Sequence, residues 1–450
     1  MKTLILFAIL ILVLSNQLYA QTDSASRESI SLTIYNSNLG VVKDVRLFDL
    51  KSGASQIKLT DISEMIDPTT VKISSPKHPG AIKVLEQNYQ YDLVSQEKLL
   101  DKYINKKIEV SDEKKNVIQG ILLAADDDRL TLQTDKGLVM TRIGNGQVTV
   151  PSLPQGLITK PTLVWQLQSE SVLQREPVEV LYQSSGLTWH AEYIASLADD
   201  DKSLDLSGWV SIENNSGTSY PNAHVKVVAG SLNRAQSQGR RRKVVAGFGD
   251  VATDDIVERG LFEYHLYDLG RPTTLANHEV KQISLLNASK VAIDKIYTYE
   301  NGGPVAVAIK FKNEAKNNMG MPLPEGIIRV MKRDKDGSQE FVGEDQINHT
   351  PRDEEVTLKI GNAFDVVGER FTTDYQNTGE KSYKQTISFK FRNHKDEDIT
   401  IDVAEYLGVG WTITESSLKY DKKEATKIVF HVPVKARSEE SVIYTVLYSR

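Results

Sequence analysis

The sequence contains no cysteine. This absence excludes disulfides, thiolate metal sites and cysteine nucleophiles together. The sequence also lacks a basic excess, because 54 Lys and Arg residues stand against 60 Asp and Glu residues, a formal net charge of −6. That balance argues against a broad nucleic-acid-binding face. Beyond the first twenty residues, no apolar run approaches the about twenty residues that a membrane-spanning helix needs.

Standard catalytic signatures are missing as well. The chain has no His-Glu-x-x-His, no Gly-x-Ser-x-Gly, no phosphate-binding Gly-x-x-x-x-Gly-Lys and no strand-linked Gly-x-Gly-x-x-Gly. Ser-x-x-Lys occurs five times, as chance predicts for a chain rich in both residues. The eight histidines include no i,i+4 pair, so a zinc site would need ligands from distant strands. We therefore predict no catalytic residues, no cofactor and no metal site.

Residues 1–20 are typical of an export signal. Lys2 precedes an unbroken apolar run of eleven residues from Leu4 to Leu14, and the segment ends on the small residue Ala20. The run is too short to cross a bilayer, although a retained membrane anchor is the alternative interpretation. We predict cleavage that leaves a soluble mature chain beginning near Gln21, without a transmembrane segment.

The missing cysteines narrow the predicted location. Exported animal proteins of this size usually carry disulfide pairs, so their absence favours a bacterial protein. A bacterial lipoprotein needs a cysteine just after the apolar core of its signal, and none is present. The sequence thus predicts an exported protein of the periplasm, the cell surface or the medium.

Alternation of apolar and polar residues with a period of two dominates after residue 28. In Val305–Lys312 the large apolar residues take every second position, and Ile387–Arg392 alternates in the same way. Such strands fit antiparallel sheets with one buried face and one solvated face. We expect a mostly-β fold of multi-domain antiparallel β-sandwiches.

One segment departs from this alternation. Between Val94 and Ile104 the apolar residues share one helical face, and about five short strands follow up to Val150. A short helix followed by such strands looks like a small SH3- or Sm-type barrel inserted into a larger β domain. A pair of ordinary hairpins is the alternative.

The segment 232–260 is rich in small, polar and charged residues, including Arg240–Lys243, and predicts a mobile linker. These features predict a signal peptide at 1–20, a β domain formed by 21–94 with 151–231, an inserted small barrel at 95–150, a linker at 232–260, a β-sandwich at 261–374 and an Ig-like unit at 375–450.

The sharpest candidate site lies on one predicted strand. In Gly186–Tyr193, Trp189 and Tyr193 share one face, while His190 and Glu192 share the other. An imidazole beside a carboxylate can perform acid–base chemistry or bind a polar ligand, and exposed aromatic rings can stack on sugars. These four residues are the predicted ligand-binding residues. The simpler interpretation is a core Trp and Tyr backed by a solvated polar face.

A second cluster of charge sits among apolar residues. Asp365, Glu369 and Arg370 flank Phe364 and Val366–Val367, an arrangement that predicts a buried charge pair with Arg271 as another candidate partner. Buried pairs often fix geometry without adding stability, so we interpret this cluster as structural.

Several longer strings resemble one bacterial family, the C-terminal domain of mucoidy-inhibitor-A-like exported proteins, a domain of unknown function. The strings occur in one order over about residues 30–450: Gly186–Tyr193, Leu206–Gly217, Pro221–Ala223, Val228–Gly230, Glu263–His265, Arg271–Leu275, Pro322–Gly326, Val342–Asp345, His349–Pro351 and Gly361–Arg370. The resemblance implies a mostly-β architecture and an exported location, and it supplies no catalytic residues. The N-terminal coiled coil of the namesake proteins is absent, so a role in exopolysaccharide control is not transferred.

These observations predict a non-catalytic envelope protein that binds or scaffolds another surface component, either an envelope protein or a polysaccharide. The alternative is an envelope hydrolase that acts on glycan or peptide through His190 and Glu192. A nucleic-acid-binding role for the inserted barrel is disfavoured by export and by net acidity.

Overall fold

The computed structural model describes residues 21–23, 26–112, 115–230, 257–261 and 264–449. The predicted export signal and most of the predicted linker lie outside these residues. Residues 257–260, at the end of that linker, belong to a strand. No helix within the described ranges is long and apolar enough to cross a membrane.

The described residues of the first half of the chain form sixteen strands and one α-helix. In chain order these are β1 (Gln21–Asp23), β2 (Arg27–Tyr35), β3 (Leu39–Leu50), β4 (Gly53–Leu59), β5 (Ile66–Ser74), β6 (Ile82–Gln90), α1 (Gln96–Lys102), β7 (Lys107–Ser111), β8 (Val117–Asp126), β9 (Arg129–Thr134), β10 (Gly137–Arg142), β11 (Gln147–Thr149), β12 (Thr162–Ser169), β13 (Leu173–Ser184), β14 (Leu187–Leu197), β15 (Ser203–Asn214) and β16 (Tyr220–Ala229).

The second half continues the pattern with strands and one turn of 3₁₀ helix (Ala315–Asn317). The strands are β17 (Val257–Leu261), β18 (Tyr264–Asp268), β19 (Thr273–Leu275), β20 (Glu279–Ala292), β21 (Asp294–Glu300), β22 (Ala306–Lys312), β23 (Gly326–Arg333), β24 (Gln339–Ile347), β25 (Glu355–Asn362), β26 (Val366–Gly379), β27 (Ser382–Asn393), β28 (Ile399–Tyr406), β29 (Trp411–Ser416), β30 (Tyr420–Glu424), β31 (Lys427–Val434) and β32 (Ser438–Ser449). The predicted mostly-β, multi-domain sandwich class is confirmed.

The strands assemble into six sheets. Sheet 1 has the order β1-β4-β12-β6, sheet 2 β10-β9-β8-β7-β11, sheet 3 β17-β18-β16-β2-β3-β13-β5 with β19 beside β16, sheet 4 β20-β15-β14-β23-β24, sheet 5 β25-β22-β21-β28-β31-β30, and sheet 6 β26-β27-β32-β29. Most pairs are antiparallel, but β14 pairs with β23 and β16 pairs with β2 in parallel. Strands far apart in sequence therefore become neighbours.

The buried faces of sheets 1, 3 and 4 form one continuous core that also receives side chains from β22 and β25. In β13 every second residue from Glu176 to Ser184 is buried, and β14 follows the same period from Leu187 to Ala195. The alternation seen in the sequence thus sets which side of each strand meets the core.

A second core lies between sheets 5 and 6. Phe389 is fully buried and contacts the rings of Tyr299, Phe430 and Tyr444. Because Tyr299 belongs to β21, this core draws on strands from both sides of residue 375. Stacked and edge-on aromatic pairs add to the stabilisation that area burial alone provides.

The predicted charge pair at Arg370 has a different partner from those expected. The Arg370 guanidinium binds the Glu405 carboxylate in bidentate fashion, at 2.9 and 3.0 Å. Glu369 instead pairs with Arg392 across the neighbouring strand. Side chains alternate across a strand, so adjacent residues 369 and 370 point to opposite faces and cannot serve one pair. The predicted pairing within this cluster is therefore wrong: Arg370 pairs with Glu405, and Glu369 pairs with Arg392 rather than with Arg370 or Arg271.

The inserted segment folds as a helix followed by five strands, but the strands do not close. Helix α1 begins after Ser95, whose hydroxyl accepts from the Lys98 amide at 3.2 Å, and it buries Leu100 against sheet 2. The end strands β10 and β11 pair only with β9 and β7 among the described strands. The exposed apolar Met140 on β10 is consistent with an open edge. The predicted SH3- or Sm-like barrel is thus corrected to an open five-stranded sheet.

Candidate functional site

Strand β14 carries all four predicted ligand-binding residues, in the centre of sheet 4. Trp189 and Tyr193 point into the first core and are 2 % and 0 % exposed. The Trp189 indole donates to the Val228 carbonyl at 3.1 Å, and the Tyr193 hydroxyl donates to the Pro324 carbonyl at 2.8 Å. Their polar atoms are satisfied internally and their rings are covered. The pair therefore fits the core interpretation better than a role in stacking on sugars.

His190 and Glu192 lie on the opposite, outward side of the same strand. The Glu192 carboxylate accepts from the Ser211 hydroxyl and the Gln282 amide, both at 2.8 Å, and from the Arg329 guanidinium at 3.3 Å. The His190 imidazole is 3.8 Å from the nearest Glu192 oxygen, which is beyond hydrogen-bond distance. Side chains from three other strands, β15, β20 and β23, thus converge on one carboxylate of β14.

These partners fix the charge state of Glu192. The Ser211 hydroxyl, followed by Arg329 and His190, holds the pKa of this carboxyl below its usual value, against an opposing effect of burial. A carboxylate with a lowered pKa is ionised at neutral pH and is a weak base. The cluster is better suited to holding a fixed negative charge than to transferring protons.

Apolar side chains surround this polar cluster. Ile194, Val280, Ile327 and Phe341 are 43 %, 64 %, 39 % and 56 % exposed and lie on the same side of sheet 4 as Glu192. We call this surface the outer face, formed by His190, Glu192, Ile194, Trp209, Ser211, Val280, Gln282, Ile327, Arg329, Phe341 and Glu344. It combines exposed apolar side chains with charges that are already paired, because Arg329 also lies 3.5 Å from Glu344.

The outer face is separate from a cavity at the far end of β14. That cavity is lined by Leu197 and by residues of sheets 4 and 5, and neither His190 nor Glu192 belongs to its lining. A hydrolase built on these two residues needs a concave site that removes the scissile bond from water. The lining of this cavity does not provide one around His190.

The structure also brings together a cluster that the sequence did not indicate. The buried Glu176 carboxylate binds the Ser75 hydroxyl and, at 2.9 Å, the His78 imidazole. In a catalytic triad the imidazole stands between the hydroxyl and the acid, whereas here the acid stands between the other two. Ser75 and Glu176 are 101 residues apart, so no local pattern could have revealed them.

Metal binding finds no support in the described part of the chain. Within it, no group of three or more His, Asp or Glu side chains has a geometry that could hold a metal ion. Several histidines contact carboxylates instead: His265 lies 2.7 Å from Glu258, and His431 lies 2.6 Å from Asp402 and 3.4 Å from Asp421.

Several strings that carry the family resemblance meet around Pro322–Gly326. The carbonyls of Pro322 and Pro324 accept the hydroxyls of Tyr267 and Tyr193, and Leu323 pairs with Thr350. This turn therefore ties sheets 3 and 4 together. No protein-family model matches the chain, and no curated protein matches it. The family resemblance stays a prediction from the sequence.

Proposed function

We propose that the protein is an exported, non-catalytic bacterial envelope protein that binds or scaffolds another surface component through the outer face. The observation that carries the proposal is the composition of that face. Four exposed apolar side chains surround a carboxylate whose hydrogen-bond partners come from three neighbouring strands. Exposed apolar side chains that lie together on one surface are typical of a site that a partner covers.

The geometry supports binding better than hydrolysis. Glu192 is held ionised by Ser211 and Arg329, and His190 does not hydrogen-bond to it. General acid–base catalysis needs a group that changes protonation during the reaction, within hydrogen-bond reach of its target. A fixed charge pair on a rigid sheet instead orients a partner and selects against wrong ones.

A protein is a better candidate partner than a polysaccharide. The exposed residues are mainly aliphatic, with Phe341 and the partly exposed Trp209 as the aromatic members. Aliphatic and aromatic side chains beside paired charges are typical of protein interfaces. Sugar recognition depends on exposed aromatic rings, and the two rings of β14 that were predicted for this role face the core.

Binding to isolated envelope material tests the proposal. We expect Ile194→Glu to weaken sedimentation of the purified protein with envelope fractions by at least about tenfold, because it buries an unpaired charge at the contact. Ile443→Glu is the matched control, since Ile443 is 47 % exposed against 43 % for Ile194 and lies on β32. Protease treatment of the envelope fraction should abolish binding if the partner is a protein.

Two outcomes would contradict this proposal. Equal binding by the Ile194→Glu and Ile443→Glu variants would show that the outer face is not the contact surface. Turnover of envelope glycan or peptide by the purified wild-type protein, abolished by His190→Ala, would show that the site is catalytic.

A further inference from the structure

A cavity of about 160 Å³ lies where the two cores meet. Its wall is aliphatic and is formed by Leu197, Ile293, Val307, Ile309 and Ile360. Ile309 belongs to the first core, whereas Val307 packs against the second. Sheets 4 and 5 therefore leave an unfilled apolar space between them. The cavity opens to solvent beside Val342, which is 39 % exposed, so a small ligand can reach the apolar wall.

Charged groups line one side of this cavity. The Asp201 carboxylate binds the ammonium groups of both Lys295, at 2.6 Å, and Lys332. Lys332 also donates to the backbone carbonyls of Ala198 and Asp199, which orient it. All three charged side chains keep about 30 % of their surface exposed, so solvent reaches them.

These groups carry a net charge of +1, since two ammonium groups face a single carboxylate. Glu397 lies close enough to interact with Lys295 and Asp201, and Lys395 neutralises it at 2.8 Å. An excess positive charge beside an apolar space attracts an anion with an apolar part, because the low-dielectric wall strengthens the attraction.

We propose that this cavity binds a small amphipathic carboxylate. Its apolar part fills the aliphatic space. Its carboxylate binds the ammonium groups of Lys295 and Lys332 and replaces some of their contacts with Asp201. An engineered cavity of about 150 Å³ with similar walls accommodates benzene, so the bound ligand has about six carbon atoms. The site is independent of the outer face and adds a small-molecule ligand to the proposed partner.

Hexanoate is the probe, compared with 1-hexanol and acetate by calorimetry and ligand-observed nuclear magnetic resonance on the full mature chain. We expect saturable hexanoate binding with a Kd on the order of 1 mM and much weaker binding of both comparison compounds. Hexanol lacks the charge, and acetate lacks the apolar part. Equal binding of hexanol and hexanoate, or no hexanoate binding about tenfold above that concentration, would overturn the proposal.

Variants separate the two parts of the site. Lys295→Met should weaken hexanoate binding about five- to tenfold, whereas Lys435→Met, which removes an exposed paired lysine elsewhere, should not change it. Asp201→Asn should tighten binding, because it removes the competing carboxylate. If Asp201, Lys295 and Lys332 served only to stabilise the fold, Asp201→Asn would weaken hexanoate binding or leave it unchanged. That result would refute the proposal that the two lysines bind the ligand carboxylate.

Filling the space provides a second readout. Val342 lies at the exposed edge of the cavity, and Val342→Trp should abolish binding of hexanoate without loss of fold, as judged by circular dichroism. Val172→Trp is the matched control at another exposed valine. Unchanged hexanoate affinity in a folded Val342→Trp variant would place the binding elsewhere and contradict the proposal.

Discussion

Arg370→Met is expected to destabilise the second core by about 3 kcal/mol, because it leaves the Glu405 carboxylate buried without its cation. Glu405 keeps only 5 % of its side chain exposed, and its remaining partner is the Tyr444 hydroxyl at 2.6 Å. Hydrogen exchange of the backbone amides in β26–β28 and β32, measured by mass spectrometry, tests this loss of stability. A decrease of this size accelerates exchange by roughly two orders of magnitude when the exchange rate reports the opening equilibrium.

Arg392→Met is the matched control for that prediction. Arg392 also binds its partner Glu369 through two hydrogen bonds, but Glu369 keeps 38 % of its side chain exposed. Water solvates the orphaned carboxylate there, so we expect a loss of less than about 1 kcal/mol. If Arg370→Met and Arg392→Met lowered stability by similar amounts, the burial of Glu405 would not explain the effect of removing its partner.

Trp189→Ala is expected to lower the free energy of unfolding by about 3 to 5 kcal/mol. The indole is 2 % exposed, packs beside the Tyr267 ring at 6.3 Å and donates to the Val228 carbonyl, so its removal leaves both a cavity and an unpaired acceptor. Urea unfolding followed by far-ultraviolet circular dichroism measures the change.

Trp209→Ala separates the core from the outer face. Trp209 lies directly across from Glu192 on β15 and is partly exposed, so its truncation removes less buried surface. We expect it to cost about 1 kcal/mol, and to affect binding to envelope material more than stability. If Trp189→Ala left the unfolding midpoint unchanged, the assignment of Trp189 to the core would be wrong.

Short-range features of the fold followed from the sequence because they depend only on nearby residues. Alternation along 187–195 separated Trp189 and Tyr193 from His190 and Glu192, and the structure places the two pairs on opposite sides of β14. Helical spacing between Val94 and Ile104 predicted a helix, and one occurs at Gln96–Lys102. In both cases a periodic pattern reports which side of an element is buried.

Long-range features could not be read in the same way. The partner of Arg370 is 35 residues away on another sheet, and the Glu176 cluster joins residues about 100 positions apart. Closure of the inserted sheet also depends on whether its end strands meet, and the hydrophobic pattern of each strand does not encode that. Which face stays exposed in sheet 4 depends on what packs on the sheet.

The cavity illustrates the same limit. Leu197 and Ile360 lie on strands of two different sheets, and each sits in an ordinary alternating segment. Only the way in which sheet 5 meets sheet 4 creates the unfilled space between them. No local sequence pattern therefore marks the cavity.

The proposed envelope function depends on the chain leaving the cytoplasm. Intact-mass measurement of the chain recovered from fractionated bacterial cells that produce it tests this most directly. The account predicts a species outside the cytoplasm whose first residue lies near Gln21. Recovery of the chain in the cytosol with residues 1–20 still attached would contradict export and, with it, an envelope partner for the outer face.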